Sequence, residues 1–317
     1  MSCAPSRSAL VSSVIRFLSL GPPDGAVVYT IGFACAIANP WGRSFLSLAC
    51  LTQSPHSRSS QSVGLWAPRI SWWLPIGEPI PASRAGTVIR VISYNLRKNH
   101  ASGELAALSE NFALDVLCLQ ECDTTDLPAD LGMLRLADST KRNRLGLAVY
   151  YRADRFSARE TRTFALKKSL HDRVLKPAHE RLIGTRLVDE ECGRELVVAS
   201  FHAAPLTALN SLRREQIRAA HERLLSLGHG LPTLMVGDYN YPLFTTNLTE
   251  RVNETGYDLS LSDRRTYTRY KFFKGHFDFA TSIGLGIDGV ETLDRGASDH
   301  MPILVTASYL ENAVVEI

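Results

Sequence analysis

Residues 88–121 read VIRVISYNLRKNHASGELAALSENFALDVLCLQE, and this stretch decides the fold. Val88–Tyr94 is a β-branched run that stops at Asn95, the composition of a strand. Gly103–Asn111 has helical spacing, with Leu105, Leu108 and Phe112 on one side. Asp115–Gln120 is a second strand, apolar through its middle and ending at Glu121. A strand, a helix and a strand in succession, both strands without polar alternation, predict an α/β protein whose sheet is covered on both faces.

The same texture continues toward the carboxyl terminus. Leu145–Tyr151 reads as a strand, and Leu182–Val188 and Glu195–Phe201 read as a pair around the turn Glu190–Gly193. Leu209–Leu227 is the longest expected helix, its arginines assigned to the wet face, and Gly228–Gly230 stops it. Thr233–Val236 is a short buried strand that delivers Gly237–Asp238–Tyr239–Asn240. Phe277–Thr281, Gly289–Leu293 and Ile303–Ala307 supply the last strands.

Upstream of Thr87 the character changes. Residues 1–87 carry six arginines against Asp24 and Glu78, a net of +4, and are rich in serine, proline and tryptophan. They show no sustained period and read as a poorly ordered extension, or as a start placed too far upstream. A membrane anchor and an organellar transit peptide are the competing readings. The division is therefore 1–87 as extension and 88–317 as the domain.

The whole chain has a formal charge of +3, so residues 88–317 carry 3 − 4 = −1. That excludes the global positive field of an indiscriminate nucleic-acid binder. A local basic cluster at Lys141, Arg142 and Arg144 stays open beside a solvated-loop reading. Six cysteines, none in a Cys-x-x-Cys pair, fit no zinc motif and suit a reducing compartment. The expectation is a cytoplasmic monomer in which residues 88–317 make no stable membrane contact.

Five polar clusters each lie at or just beyond the end of an apolar strand. They are Tyr94–Asn95, Gln120–Glu121, Ser200–Phe201–His202, Gly237–Asp238–Tyr239–Asn240 and Ser298–Asp299–His300. Each alone has an ordinary explanation as a cap, a turn or a solvated strand end. Together they place carboxylates, amides and histidines at one sheet rim, where they converge without burying unpaired charge. Oxygen ligands of this kind suit magnesium, which takes one or two carboxylates and completes its shell with water and substrate oxygens. Glu121 and Asp299 fit that part, Asp238 the base, and His300 beside Asp278 a proton-transfer or charge-stabilising part.

In order and spelling these pieces resemble the endonuclease/exonuclease/phosphatase superfamily, from Val88 to Ala307. The matching motifs are Ile92–Leu96, Leu119–Glu121, Gly146–Arg152, Ser200–Pro205, Gly237–Asn240, Phe277–Phe279 and Ser298–Pro302. The resemblance implies a four-layer α/β sandwich, two mixed β-sheets face to face with helices outside. It implies a hydrolase of phosphate esters using Mg2+, with Mn2+ as substitute, on DNA, RNA or another phosphate-ester substrate. Nuclease action is expected ahead of a phosphatase for small phosphorylated molecules or lipid head groups, and an inactive binding protein of the same fold is the third reading.

Matched motif to motif, Glu121 is the principal metal ligand, with Asn95 and Asp299 close to the metal. Asp238 aligns or deprotonates water, Asn240 contacts the phosphate, and His300 paired with Asp278 stabilises the phosphorane or acts as base. His202 assists near the leaving group, and Arg181 stands where many members contact phosphate. Two departures stand out. Asn143–Arg144–Leu145 offers His202 no acid, and Tyr241–Phe244 replaces the family's usual continuation. Thr266–Phe273 interleaves aromatics with cations and reads equally as a substrate groove or an edge strand.

Overall fold

The structure, a computed structural model, describes residues 88–141, 143, 145–174, 179–241, 245–269 and 275–310. The expectations for residues 1–87 lie outside these, as do Arg142, Arg144, Pro242–Phe244 and Tyr270–Lys274.

The first strands and helix form where the sequence places them: β1 (Val88–Asn95), α1 (Leu105–Asn111) and β2 (Val116–Cys122). The next strands are β3 (Asp130–Leu131), β4 (Leu134–Ser139), β5 (Gly146–Arg152) and β6 (Phe156–Ala165). After the short α2 (Leu170–Val174) come β7 (Glu180–Asp189), β8 (Arg194–His202) and α3 (Asn210–Leu224). The chain closes with β9 (Thr233–Asp238), α4 (Thr245–Asn253), β10 (Asp258–Leu261), β11 (Asp278–Ile283), β12 (Leu285–Thr292) and β13 (Ile303–Tyr309).

These strands make a seven-stranded sheet, ordered β12-β13-β1-β2-β5-β4-β3, and a six-stranded sheet, ordered β10-β11-β9-β8-β7-β6. Both are mixed. Each contains one parallel pair, β1 with β2 and β8 with β9, among antiparallel neighbours.

Alternate side chains of each strand enter different layers. Val91, Cys118 and Val149 meet Ile183, Val198 and Val236 between the sheets. Ile92, Leu117 and Tyr150 turn the other way and pack with Leu105 of α1. Val197, Ala199 and Met235 cover Ile217 and Leu224 of α3 and Leu248 and Val252 of α4. The result is the four-layer sandwich, and burial on both faces explains why the central strands read as unbroken apolar runs.

The arginines of α3 are not all on its wet face. Arg213 is buried, its guanidinium bonded to the Pro205 carbonyl (2.7 Å) and to Asn210. Three strands escape an apolar reading for the same reason. β4, β6 and β10 sit at or next to sheet edges, and β6 is half-exposed along most of its length. Polar residues such as Arg159, Glu160 and Arg162 are tolerated there.

The topology explains why one rim gathers the polar clusters. In a parallel pair both strands end on the same side, so Asn95 lies beside Gln120 and His202 beside Asp238 in register. The antiparallel neighbours β13 and β11 begin where those strands end. Ile303 pairs with Ser93 and Asp278 with Asp238, so Asp299–His300 and Asp278 arrive at the same rim. The two sheets are tied there by Gln120, whose amide donates to Ser200 Oγ (2.9 Å), while Ser200 donates to the Leu119 carbonyl (2.9 Å).

Gly237 is required by this arrangement. Its φ is +154°, and a Cβ there would lie 1.9 Å from the carbonyl oxygen of Phe201 on the paired strand. Gly237→Ala must therefore move backbone rather than a side chain. It is expected to destabilise the fold by about 3 kcal/mol, read as a lowered midpoint in thermal unfolding.

Candidate active site

Asp238 stands at the centre of the rim. Its Oδ2 accepts from Asn95 Nδ2 (3.0 Å) and Asn240 Nδ2 (3.0 Å), and its Oδ1 accepts from the Asn240 backbone N–H (2.9 Å). Asn95 comes from one sheet and Asp238 from the other, so this bond closes the sandwich across the site. Asn240 adopts φ +48°, which turns its amide back onto the aspartate. His202 Nε2 and His300 Nε2 lie 3.6 and 3.7 Å from the same Oδ2. Those spacings exceed a direct hydrogen bond but leave strong charge interaction in a buried setting.

Burial raises the Asp238 carboxyl to about 7, with Asp278 and Glu121 adding to the rise against the pull of His300. For His300 burial acts downward, but the carboxylates of Asp278 and Asp238 outweigh it and lift the imidazolium to about 10. Asp278 Oδ2 is 2.8 Å from His300 Nδ1, which fixes the ring and leaves Nε2 toward Asp238. Asp278 is positioned in turn by Thr266, whose Oγ1 accepts the Phe277 and Asp278 backbone N–H groups (3.2 and 3.1 Å).

Glu121 occupies a bulge where β2 and β5 shift register, at φ +53°. A non-glycine residue held there is strained backbone, the kind that concentrates at functional positions. The bulge is accommodated by Gly146 opposite, where a Cβ would lie 2.6 Å from the Cys122 carbonyl oxygen. Glu121 Oε2 accepts the Lys98 backbone N–H (3.0 Å), and Oε1 is 3.9 Å from His202 Nε2. The loop around it runs through Arg97, Lys98 and Asn99, all at positive φ (48°, 53° and 68°). Asp299 is held between Arg97 Nε (3.7 Å) and Arg269 Nη1 (3.8 Å). Ser298 fixes the approach of this segment by donating to the Asn95 carbonyl (2.6 Å) and accepting the His300 N–H (3.1 Å).

All nine residues singled out in the sequence border this rim, eight of them lining a cleft of about 400 Å³ and Asp278 standing behind His300. Arg181 lines the cleft while its guanidinium also braces the wall. It is buried in the cleft wall, donating to the carbonyls of His202 (2.9 Å) and Ala203 (2.8 Å) and to Asp172 Oδ1 (2.6 Å). Burial alone would raise the Asp172 carboxyl, but Arg181 and Ser169 hold it below the usual range. Its ion-pair partner is Asp172.

Further residues border the site, some from the aromatic-and-cation stretch and some outside any motif. Arg97, Lys98 and Arg269 form a cationic border to the cleft. Tyr267 bridges to His300 and packs its ring 4.8 Å from the imidazole, and Thr268 donates twice to the Asp299 carbonyl. Tyr267 and Arg269 thus line the cleft from the aromatic-and-cation stretch. Glu104 links Tyr94 (2.8 Å) to the Ala297 N–H (2.5 Å), holding β1 to the Asp299 segment. For Arg97 and Lys98 the sequence signal is their place just after Asn95; for Tyr267 and Arg269 it is the aromatic-and-cation stretch.

The donor chemistry fits a hard divalent cation. Glu121 and Asp299 offer carboxylate oxygens and Asn95 an amide oxygen, and none of the described residues lining the cleft is a cysteine. Asp238, Asp278 and His300 form a tighter group, all ligand atoms within 4.8 Å of one another. Because His300 Nδ1 is engaged by Asp278, that trio has the form of an acid–base relay.

Residues 92–300 match the sequence profile described as Endonuclease/Exonuclease/phosphatase family. The chain is 26% identical over 259 residues to UPF0294 protein YE0917 of Yersinia enterocolitica, spanning 75% of this chain and 90% of that protein. Among solved structures it is similar to mannosyl-6-phosphatase Bt3783 of Bacteroides thetaiotaomicron, with TM-score 0.57 and 19% identity over 70% of this chain and 100% of that one. It is also similar to D. rerio TDP2 complexed with single strand DNA product, with TM-score 0.54 and 14% identity over 70% and 99% of the two chains. At those identities the structural likeness speaks for the fold alone, while the profile match covers most of the described chain and the whole rim from Tyr94 to His300. The chain belongs to the endonuclease/exonuclease/phosphatase family of phosphoester hydrolases.

Proposed function

We propose that the chain is a divalent-metal-dependent phosphodiester hydrolase that acts on nucleic-acid strands as a nuclease, with Mg2+ as the working ion and Mn2+ as substitute. The observation that carries this reading is the convergence of Glu121, Asp238, His202 and His300 on one point under a cationic border. A divalent cation held by Glu121, with Asn95 and Asp299 beside it, would supply Lewis-acid charge neutralisation at the phosphoryl oxygen.

The chain's own groups account for the remainder. Asp238, ionised near neutral pH, takes the proton of the attacking water, and Asn95 and Asn240 hold its carboxylate in orientation. The His300 imidazolium, kept charged by Asp278, faces the charge that develops on the phosphorane. His202 stands across Asp238, toward the leaving group, and Arg181 fixes the backbone that carries it. Arg97, Lys98 and Arg269 lie where flanking phosphates of a strand would pass. The net charge of −1 over residues 88–317 favours single strands and strand ends over broad duplex contact.

A second reading, hydrolysis of small phosphomonoesters or lipid head groups, is favoured by the modest size of the cleft, about 400 Å³. The test is a screen of the full chain against single-stranded DNA, duplex DNA, RNA, inositol phosphates and bis(p-nitrophenyl) phosphate, with Mg2+, Mn2+ or EDTA. Diester hydrolysis that EDTA abolishes, strongest on single strands, is the expected result. Preference for inositol phosphates selects the second reading, and hydrolysis unaffected by EDTA removes the metal from both.

A further inference from the structure

Beside the catalytic cleft lies a groove of about 730 Å³ with a different character. Five large apolar side chains are exposed among the described residues, and three of them line it: Leu170 (79%), Val174 (83%) and Leu209 (75%). Leu170 and Val174 are one helical turn apart and share a face of α2. Asp172, between them, turns inward to Arg181, and Ser169 bonds the same carboxylate (3.0 and 2.8 Å). The helix is therefore pinned from within while its aliphatic residues are held out in water.

Lys167, Lys168 and Arg173 line the same groove, Lys167 in an ion pair with Glu215, and none of the described residues lining it is acidic. Thr207 borders both the groove and the catalytic cleft, so the two open side by side. Aliphatic side chains ringed by cations are complementary to the head-group region of an anionic lipid layer. They lack the aromatic faces on which bases stack.

We propose that this face docks reversibly on an anionic phospholipid bilayer, with Leu170, Val174 and Leu209 entering the head-group region and Lys168 and Arg173 meeting lipid phosphates. The contact is peripheral: no helix among the described residues is long and apolar enough to cross a membrane. Docking brings the cleft mouth at Thr207 to the bilayer surface, where phosphate esters of lipid head groups are presented to Asp238 and His300. That consequence rests on the second, lipid-head-group reading of the cleft given above; the docking itself does not.

The test is co-sedimentation of the full chain with phosphatidylcholine vesicles, with and without phosphatidylglycerol, in parallel with hydrolysis of soluble bis(p-nitrophenyl) phosphate. The wild-type chain is expected to bind the anionic vesicles more tightly than the neutral ones. Leu170→Ser/Val174→Ser/Leu209→Ser and Lys168→Gln/Arg173→Gln are each expected to lower that affinity by roughly tenfold or more. Hydrolysis of the soluble diester should stay unchanged in both. Anionic-vesicle binding that is absent in the wild type, or undiminished in the serine variant, overturns the proposal. So does a wild-type dimer that the serine variant converts to monomer, which would show the groove covered by a second copy. Failure of the catalytic reading is separable, since it shows as absent metal-dependent hydrolysis while the loss of vesicle binding in the variants still stands.

Discussion

Glu121→Gln is expected to lower metal-dependent hydrolysis by about 10³-fold, equivalent to roughly 4 kcal/mol of transition-state stabilisation. The substitution preserves side-chain size and one carbonyl oxygen, so the Lys98 N–H that Oε2 accepts keeps a partner. It also leaves the backbone as it was, the bulge at φ +53° being set by the β2–β5 register shift and by Gly146. What is lost is a full negative charge at the cleft floor, the feature a hard cation needs. Two measurements separate this from simple unfolding. The thermal midpoint without metal should match wild type, and the rise in midpoint on adding Mg2+ should shrink, because a ligand stabilises only in proportion to its affinity for the folded state. Wild-type rates in Glu121→Gln would remove Glu121 from the metal site.

The reason this residue was legible in the sequence is topological. Strands buried on both faces announce themselves as apolar runs, and β1, β2, β8 and β9 all do. A polar residue at the end of such a run cannot serve the core, so Asn95, Glu121, His202 and Asp238 stand out against Val91, Leu119, Val198 and Val236. The convergence of Asp278 and His300 on Asp238 was less direct. It depends on β11 and β13 running antiparallel to their neighbours, which residue order does not disclose and the family motifs supplied.

What stayed hidden shares one cause: a role carried by position rather than by residue type. Thr266 and Thr268 fall in a stretch that stands out for its aromatics and cations, yet it is the threonines that hold Asp278 and Asp299 through backbone groups. Arg181 was legible as a site arginine, but its bonds go to the carbonyls of His202 and Ala203. Arg213 reads as a solvated helix arginine and is buried because a loop carbonyl at Pro205 accepts from it. β6 leaves no signal in the sequence because a half-exposed edge strand carries no apolar period.

His300→Ala should reduce hydrolysis by about 10³-fold, and Asp278→Asn reveals how the residue acts. In the wild type the ionised Asp238 and the charged His300 are both needed. Activity therefore rises with pH through about 7 as Asp238 loses its proton and falls through about 10 as His300 loses its own. Asp278 raises both values, because its negative charge opposes a second one on Asp238 and favours the cation on His300. Asparagine at 278 still presents an oxygen to His300 Nδ1, so the ring keeps its orientation, but the charge is gone. Both limbs must then move to lower pH. The alkaline limb should fall by at least about one pH unit, a differential interaction of ~1.4 kcal/mol, so the variant loses about half or more of its activity near pH 9, where the wild type is still close to its plateau. The measurement is kcat/KM against pH for both proteins at saturating Mg2+. A pair whose only task is to hold the ring in place would leave the alkaline limb unmoved in Asp278→Asn, and that outcome would reject the charge-stabilising role assigned to His300.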